Sequence, residues 1–237
     1  MHPVSWLEVV VTAVWGGLLA LERRAFLQAM VSRPLVAAAV TGMLLEDPVA
    51  GLAIGVVFEL LHLGGASLGG AHPDHDTLPA VAASALAAGL GHADGSDSTP
   101  AMWSVAMLAC APFGRAGLKL ENVLDARAKK YFTRALSAAS SGDLRRAARQ
   151  NLRALWPQFV FYGLICGAAA FLGPKLEPLV TNLPLPVLRG LAFAYPAMGV
   201  AAATAAVHGS HAPRRAAIAL GVLGLGLVGL VATGRWG

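Results

Sequence analysis

The chain has 237 residues, of which 56% are hydrophobic and only 13% are Asp, Glu, Lys or Arg, against roughly 25% charged residues in an average soluble domain. That balance excludes a disordered chain, which needs low hydrophobicity and high net charge, and it makes a water-wrapped globule a poor fit. The formal charge of +5 does not point to nucleic acid, because ten of the 18 basic residues lie in one stretch between Arg115 and Arg153 and the others flank apolar runs, where lipid head groups attract cations.

Stretches free of charged residues give the first ruler, since a helix that crosses a bilayer needs about 20 mostly apolar residues. The first run covers Val9 to Leu21 and extends upstream past Glu8 to Val4. It lacks a basic region followed by a small-residue cleavage site, so it is expected to be retained as a span. Pro34 to Leu63 is apolar but interrupted by Glu46-Asp47-Pro48. Pro48 lacks an amide donor and disfavours helix at Asp47. Two half-length helices are predicted, Pro34 to Leu45 and Val49 to Leu63, forming a broken helix or a re-entrant hairpin. Such irregular backbone is tolerated at depth only where protein or a cavity surrounds it. The Gly-rich segment Gly64 to Gly70 follows, suited to close approach of backbone to a ligand or another helix.

Thr77 to Ala93 and Ser98 to Gly114 read as a helical pair. From Leu118 to Leu155 apolar residues recur at helical spacing between bases, which predicts two amphipathic helices broken at Ser140-Ser141-Gly142-Asp143 and lying along the membrane surface. Ala154 to Pro174, Gly190 to Pro213 and Ala216 to Gly234 supply the last spans. The expected fold is an all-α polytopic integral membrane protein with broken or re-entrant helices and a cytoplasmic amphipathic segment. It forms one domain, divided into a first span (1–33), the broken-helix region and Gly-rich loop (34–76), a helical pair (77–117), the amphipathic helices (118–155) and the C-terminal spans (156–237). Cys110 and Cys166 fall inside apolar runs and read as packing thiols.

Basic residues favour cytoplasmic loops. With the N-terminus outside and Pro34 to Leu63 entering and returning on one side, 15 of the 18 bases fall inside. Only Lys175, Arg189 and Arg235 remain outside.

Glu59, within an apolar half-helix, is the first candidate for function. A carboxylate at bilayer depth costs about 2.5–3.5 kcal/mol on insertion scales. It needs a partner, water, a proton or a substrate, and a structural hydrogen bond to a neighbouring helix serves as well as a transport role. His62, three residues on, shares its face and could bond to it. His72, Asp74, His75 and Asp76 crowd five residues, and His208 and His211 lie three apart. Imidazole and carboxylate together suit a metal, although a polar loop accounts for the same residues. Phosphate-loop, zinc-protease and nucleophile-elbow motifs are absent from the sequence. Gly51 and Gly55, and Gly163 and Gly167, match the small-residue packing pattern of membrane helices.

Arg33-Pro34-Leu35, Gly42, Asp47 at the break, Gly51, Gly55, Glu59, Leu63-Gly64, Gly69 and Pro73-Asp74 together resemble a known family. It is the EIIC membrane component of the mannose/fructose/sorbose family of the sugar phosphotransferase system (PTS). Ala138 to Asp143 matches its small polar break. The likeness is specific between Arg33 and Asp74 and architectural after about Ala154. It implies a multi-pass permease subunit of the inner (cytoplasmic) membrane that binds and translocates a hexose and works as an oligomer with a membrane partner, EIID. Cytoplasmic EIIA and EIIB proteins perform the phosphoryl transfer, so this chain carries no catalytic residue, cofactor or metal. The resemblance places sugar contacts at Glu59, Ser67 and Asp74. The chain departs from the pattern where Val56 follows Gly55, where Ser67 replaces an Asn, and at His72, which leaves the sugar open.

Two other readings stand beside it. One is a metal-binding membrane enzyme or metal permease using His72, Asp74, His75, Asp76, His208 and His211. The other is a non-transporting regulatory homologue that holds soluble partners on the basic Arg115 to Arg153 face.

Overall fold

Pro34, Pro48, Pro100 and Pro112 each begin a helix. A proline there loses nothing, because the first amides of a helix have no intrahelical partner and the ring presets φ. The computed structural model describes residues 5–24, 28–63, 75–92, 98–209 and 214–232. Within these residues the order is α1 (Trp6–Arg24), α2 (Pro34–Leu44), α3 (Pro48–Leu63), α4 (Thr77–His92), α5 (Pro100–Cys110), α6 (Pro112–Ser140), α7 (Leu144–Thr181), α8 (Leu185–Gly209) and α9 (Arg214–Ala232). No strand occurs among the described residues.

α4 is the centre of the bundle. Ala80, Ala82, Ala83, Ala85, Ala87 and Ala88 are all fully buried, and α4 packs on α2, α3, α5 and α7. Side chains this small let helix backbones approach closely, which is how helices associate where lipid removes the hydrophobic drive. Ser84 adds a polar tie by donating to the Ala38 carbonyl at 2.9 Å. α1 lies antiparallel to α7, with Gly163 and Gly167 both against Ala13.

The interruption at Glu46-Asp47-Pro48 produces the predicted pair of short helices. α2 and α3 have 11 and 16 residues, or about 17 and 24 Å at 1.5 Å per residue, both short of a hydrocarbon core of about 30 Å. They form an antiparallel hairpin. A Cβ on Gly42 would lie 2.8 Å from the Gly51 Cα, and one on Gly51 would lie 2.5 Å from the Ala38 carbonyl oxygen. Only glycine permits two backbones at that distance.

The amphipathic segment differs from its expected form. The break falls at Ser141–Asp143 as predicted, with Asp143 accepting the Arg146 amide at 2.9 Å. The two helices extend beyond the predicted stretch, however. α6 starts at Pro112, and α7 runs unbroken for 38 residues through Pro157, Pro174 and Pro178. The change from basic to apolar composition near Leu155 marks a change of surroundings along one helix rather than a helix end. α6 and α7 pack against each other as a helical hairpin.

α7 and the Leu185–His208 part of α8 are long and apolar enough to cross a membrane. Together with the short apolar helices and the fold comparison below, they make this an all-α polytopic membrane protein. Cys110 and Cys166 are buried free thiols.

Candidate functional site

The hairpin is closed at both ends by carboxylates. At its mouth Glu59 pairs with Arg33 and accepts the Leu35 amide at 3.3 Å. The first amides of α2 have no carbonyl to bond, and a carboxylate at a helix N-terminus also meets the positive end of the helix dipole. The Glu59 side chain is 14% exposed and that of Arg33 47%. Glu59 lies on the face of α3 that carries Leu52, Val56 and Leu63, all exposed. His62 does not join it. The His62 Nδ1 lies 2.8 Å from the Phe58 carbonyl oxygen and its ring stacks on Phe58.

At the tip Asp47 is 3% exposed. It caps α3 through the Ala50 amide at 3.0 Å and accepts the Ser98 amide at 3.2 Å and the Ser98 hydroxyl. Trp103 Nε1 donates to the same hydroxyl at 2.6 Å. Asp47 is a buried joint between the hairpin and α5, whereas Glu46 is exposed and adopts φ +58°.

A second ionic cluster sits at the mouth end. Arg23 of α1 pairs with Asp76, donates to Thr77 Oγ1 at 3.3 Å and lies 3.8 Å from Glu121 of α6. His75 Nε2 is 3.5 Å from the same Glu121 carboxylate, and both side chains are nearly inaccessible. His75 Nδ1 accepts the Leu78 amide at 3.1 Å, which puts the ring proton of a neutral imidazole on Nε2, facing Glu121. The ring packs 4.7 Å from that of Tyr162 of α7. Thr77 Oγ1 donates to the Ser32 carbonyl at 2.6 Å. Burial pulls the Asp76 carboxyl upward, but Arg23 and then His75 outweigh it and hold the group below its ordinary 3.8. Sequence reasoning missed Arg23, Glu121 and Tyr162. Glu121 was hidden by the basic residues around it. The signal was its place in the small-and-apolar seam Gly117, Glu121, Leu124, Ala128, Tyr131, Ala135, Ala138, a heptad spacing that turns toward a partner helix.

Of the expected sugar contacts, Glu59 lies at the hairpin mouth, while Ser67 and Asp74 fall outside the described residues, as do His72 and His211. Among the described residues no three His, Cys, Asp or Glu side chains are grouped to hold a metal ion. His75 and Asp76 are engaged with protein groups, and His208 is exposed near the end of α8. A hollow of about 370 Å³ opens between α5, α7 and α8, with Thr99, Thr181 and Arg189 as polar lining. A void of about 10 Å³ lies beside His75 and Tyr162. Glu59 lines neither.

A buried alanine helix, a short hairpin held by carboxylates and long apolar helices define an all-α membrane protein built around a broken helix. The family model described as the sorbose-specific IIC component of the PTS system matches residues 6–208, and the chain belongs to that family. It is a sugar permease subunit, EIIC, of a mannose-family PTS, a transporter component. Two solved structures share the fold. One, described only as a membrane protein, has a TM-score of 0.68 at 19% identity, covering 98% of this chain and 95% of that one. The other is a chain from the mannose transporter ManYZ in complex with microcin E492, with a TM-score of 0.59 at 18% identity, covering 97% and 94%. No curated protein matches the chain in sequence.

Proposed function

We propose that this EIIC subunit binds a hexose and passes it across the inner membrane together with a second membrane subunit, EIID, while cytoplasmic EIIA and EIIB proteins phosphorylate the sugar. The observation that carries this reading is the family match over residues 6–208, joined to a short helical hairpin with an acid at its mouth. The name of the ManYZ neighbour supports a two-subunit membrane complex.

Glu59, Ser67 and Asp74 are the proposed sugar contacts. Sugar hydroxyls are selected by a few convergent polar groups whose loss leaves partners unmatched. The Glu59 carboxylate now serves Arg33 and the Leu35 amide, so sugar binding would exchange a hydroxyl for one of these partners. Movement of the hairpin's packed body against the remaining helices would alternate access, as in other transporters built on broken helices. The charge distribution favours the mouth end, with Arg23, Arg33 and the α6–α7 hairpin, as cytoplasmic.

The test is uptake of labelled mannose, fructose and sorbose by vesicles containing this subunit with EIID, EIIA and EIIB. Saturable, phosphoenolpyruvate-dependent accumulation of one hexose is expected. Its absence for all three with an assembled complex would overturn the hexose assignment.

A further inference from the structure

We propose that the hollow between α5, α7 and α8 holds an anionic phospholipid, with the phosphate on Arg189 and an acyl chain along the apolar wall. The inference does not depend on which solute the protein carries.

The hollow, of about 370 Å³, is lined where α5 begins, where α7 ends and along the opening turns of α8. Ser98, the neighbour of Thr99, is bonded to Asp47, so this end of the bundle carries the hairpin tip, opposite Glu59 and Arg33. The Leu185–His208 segment is long and apolar enough to cross a bilayer, which sets its first residues at a membrane boundary. Arg189 stands four residues in from that start, about 6 Å along the axis. A side chain of that length reaches the head-group layer while its stem lies on apolar surface.

The charge at the hollow is uncommitted. Arg189 is exposed, and its side chain makes no ion pair or hydrogen bond among the described residues. Lys175, by contrast, sits over the Phe171 ring at 3.8 Å. Thr99 precedes α5, and its hydroxyl makes no capping bond. A guanidinium meets two phosphate oxygens with parallel hydrogen bonds. Beside it, Met102 and Val180 are buried and Leu188 is half-buried, which makes a fixed apolar wall. Charge and wall together select the occupant. A free phosphate would use Arg189 and leave the wall unmatched. A hexose needs several convergent polar groups, and of the two hydroxyls here that of Thr181 is already given to the Glu177 carbonyl at 3.1 Å. A phospholipid brings anion and hydrocarbon in one molecule, and the bilayer supplies it at the level of the hollow.

The experiment purifies the protein together with EIID in mild detergent, titrates it with phosphatidylglycerol or phosphatidylcholine, and counts the retained lipid by native mass spectrometry. One phosphatidylglycerol per copy of this chain should bind about fivefold more tightly than phosphatidylcholine, the effect of one base at a lipid surface. Arg189→Gln should abolish the preference, and Arg189→Lys should keep part of it as a point charge. Ala192→Trp fills the hollow and leaves the arginine, and it should release phosphatidylglycerol as well. Ala192→Leu is the smaller filler should the tryptophan variant not assemble with EIID, and a severalfold loss is expected there. Equal binding of the two lipids, or a preference indifferent to Arg189→Gln, overturns the proposal. So does a preference that survives both fillers and is displaced by inorganic phosphate, which would make Arg189 a site for free anions. Binding to this chain alone that vanishes in the complex overturns it too, because EIID would then cover the hollow.

Discussion

The carboxylate of Glu59 closes the α2–α3 hairpin by pairing with Arg33 and accepting the amide of Leu35 at 3.3 Å. One acid near the end of α3 thereby serves as the cap of α2. Removing a helix cap costs about 1 kcal/mol, and a pair with a half-exposed arginine adds little to that. Glu59→Gln keeps an oxygen for the Leu35 amide, so it should unfold within a few degrees of Arg33→Gln. If Glu59 also contacts sugar, Glu59→Gln alone should raise the KM for hexose uptake severalfold. Equal KM values for the two variants would confine Glu59 to closing the hairpin.

The two acids of the hairpin turn should respond in opposite directions. Glu46 occupies φ +58°, while its neighbour's amide, that of Asp47, reaches back to the Gly42 carbonyl at 2.8 Å. This is a Schellman helix end, in which glycine is the usual residue at the left-handed position. A side chain there costs roughly 1–2 kcal/mol, so Glu46→Gly should be neutral or stabilising. Asp47→Ala strands the Ala50 and Ser98 amides and the Ser98 hydroxyl in a buried setting, at about 1–3 kcal/mol for an unmatched group. Thermal unfolding of the purified complex would show the contrast, and a fall in stability for Glu46→Gly equal to that for Asp47→Ala would contradict it.

Local chemistry made this hairpin legible in the sequence. Pro48 after Glu46-Asp47 announces a helix break, and Gly42, Gly51 and Gly55 announce close packing, so both short helices were readable within a residue or two. The break at Ser140 to Asp143 was readable for the same reason. Continuity of α7 was not, because composition reports the solvent around a helix and the helix does not end where its solvent changes. The Arg23–Asp76 and His75–Glu121 contacts were not legible either. They join residues more than forty positions apart, and no local pattern encodes which helices meet. Asp76 read as a loop acid and Glu121 as one acid among many bases, although both are fixed by tertiary packing.

The contact of α2 with α3 should resist any added carbon. A Cβ on Gly42 would sit 2.4 Å from the Asp47 carbonyl oxygen, and one on Gly51 would sit 2.5 Å from that of Ala38. The obstacle in each case is backbone, which cannot rotate away, and overpacking of this kind costs about 1–3 kcal/mol. Gly190 of α8 has nothing within 4 Å of the same added atom, so Gly190→Ala should gain up to about 1 kcal/mol from helix propensity. Thermal melts of Gly42→Ala, Gly51→Ala and Gly190→Ala in one detergent would rank the positions, and a Gly51→Ala protein as stable as Gly190→Ala would refute the close approach.

Asp76 links stability to acid. Its carboxyl is held low because Arg23 and then His75 outweigh the burial that pulls it up. A group with a depressed folded pKa contributes stability above its unfolded value, near about 3.9, and loses it as pH falls through the folded value. Arg23→Gln removes the main opposing charge. The variant should be less stable than wild type at neutral pH, and the difference should shrink as pH drops below about 4. Denaturation of both proteins between neutral and strongly acidic pH would check this, and a gap that widens in acid would reverse the assignment.

The α6–α7 tip offers the clearest test of orientation. Ser140 is exposed at the end of α6, and Cys110 and Cys166 are only 2% and 1% exposed, so a cysteine at position 140 would be the readily labelled thiol among the described residues. The excess of bases on this hairpin favours the cytoplasm. Ser140→Cys in intact cells should therefore react with a membrane-permeant maleimide and resist an impermeant one, becoming reactive to both once the membrane is opened. Labelling of intact cells by the impermeant reagent would place the hairpin outside. That outcome would invert the topology that the charge distribution favours.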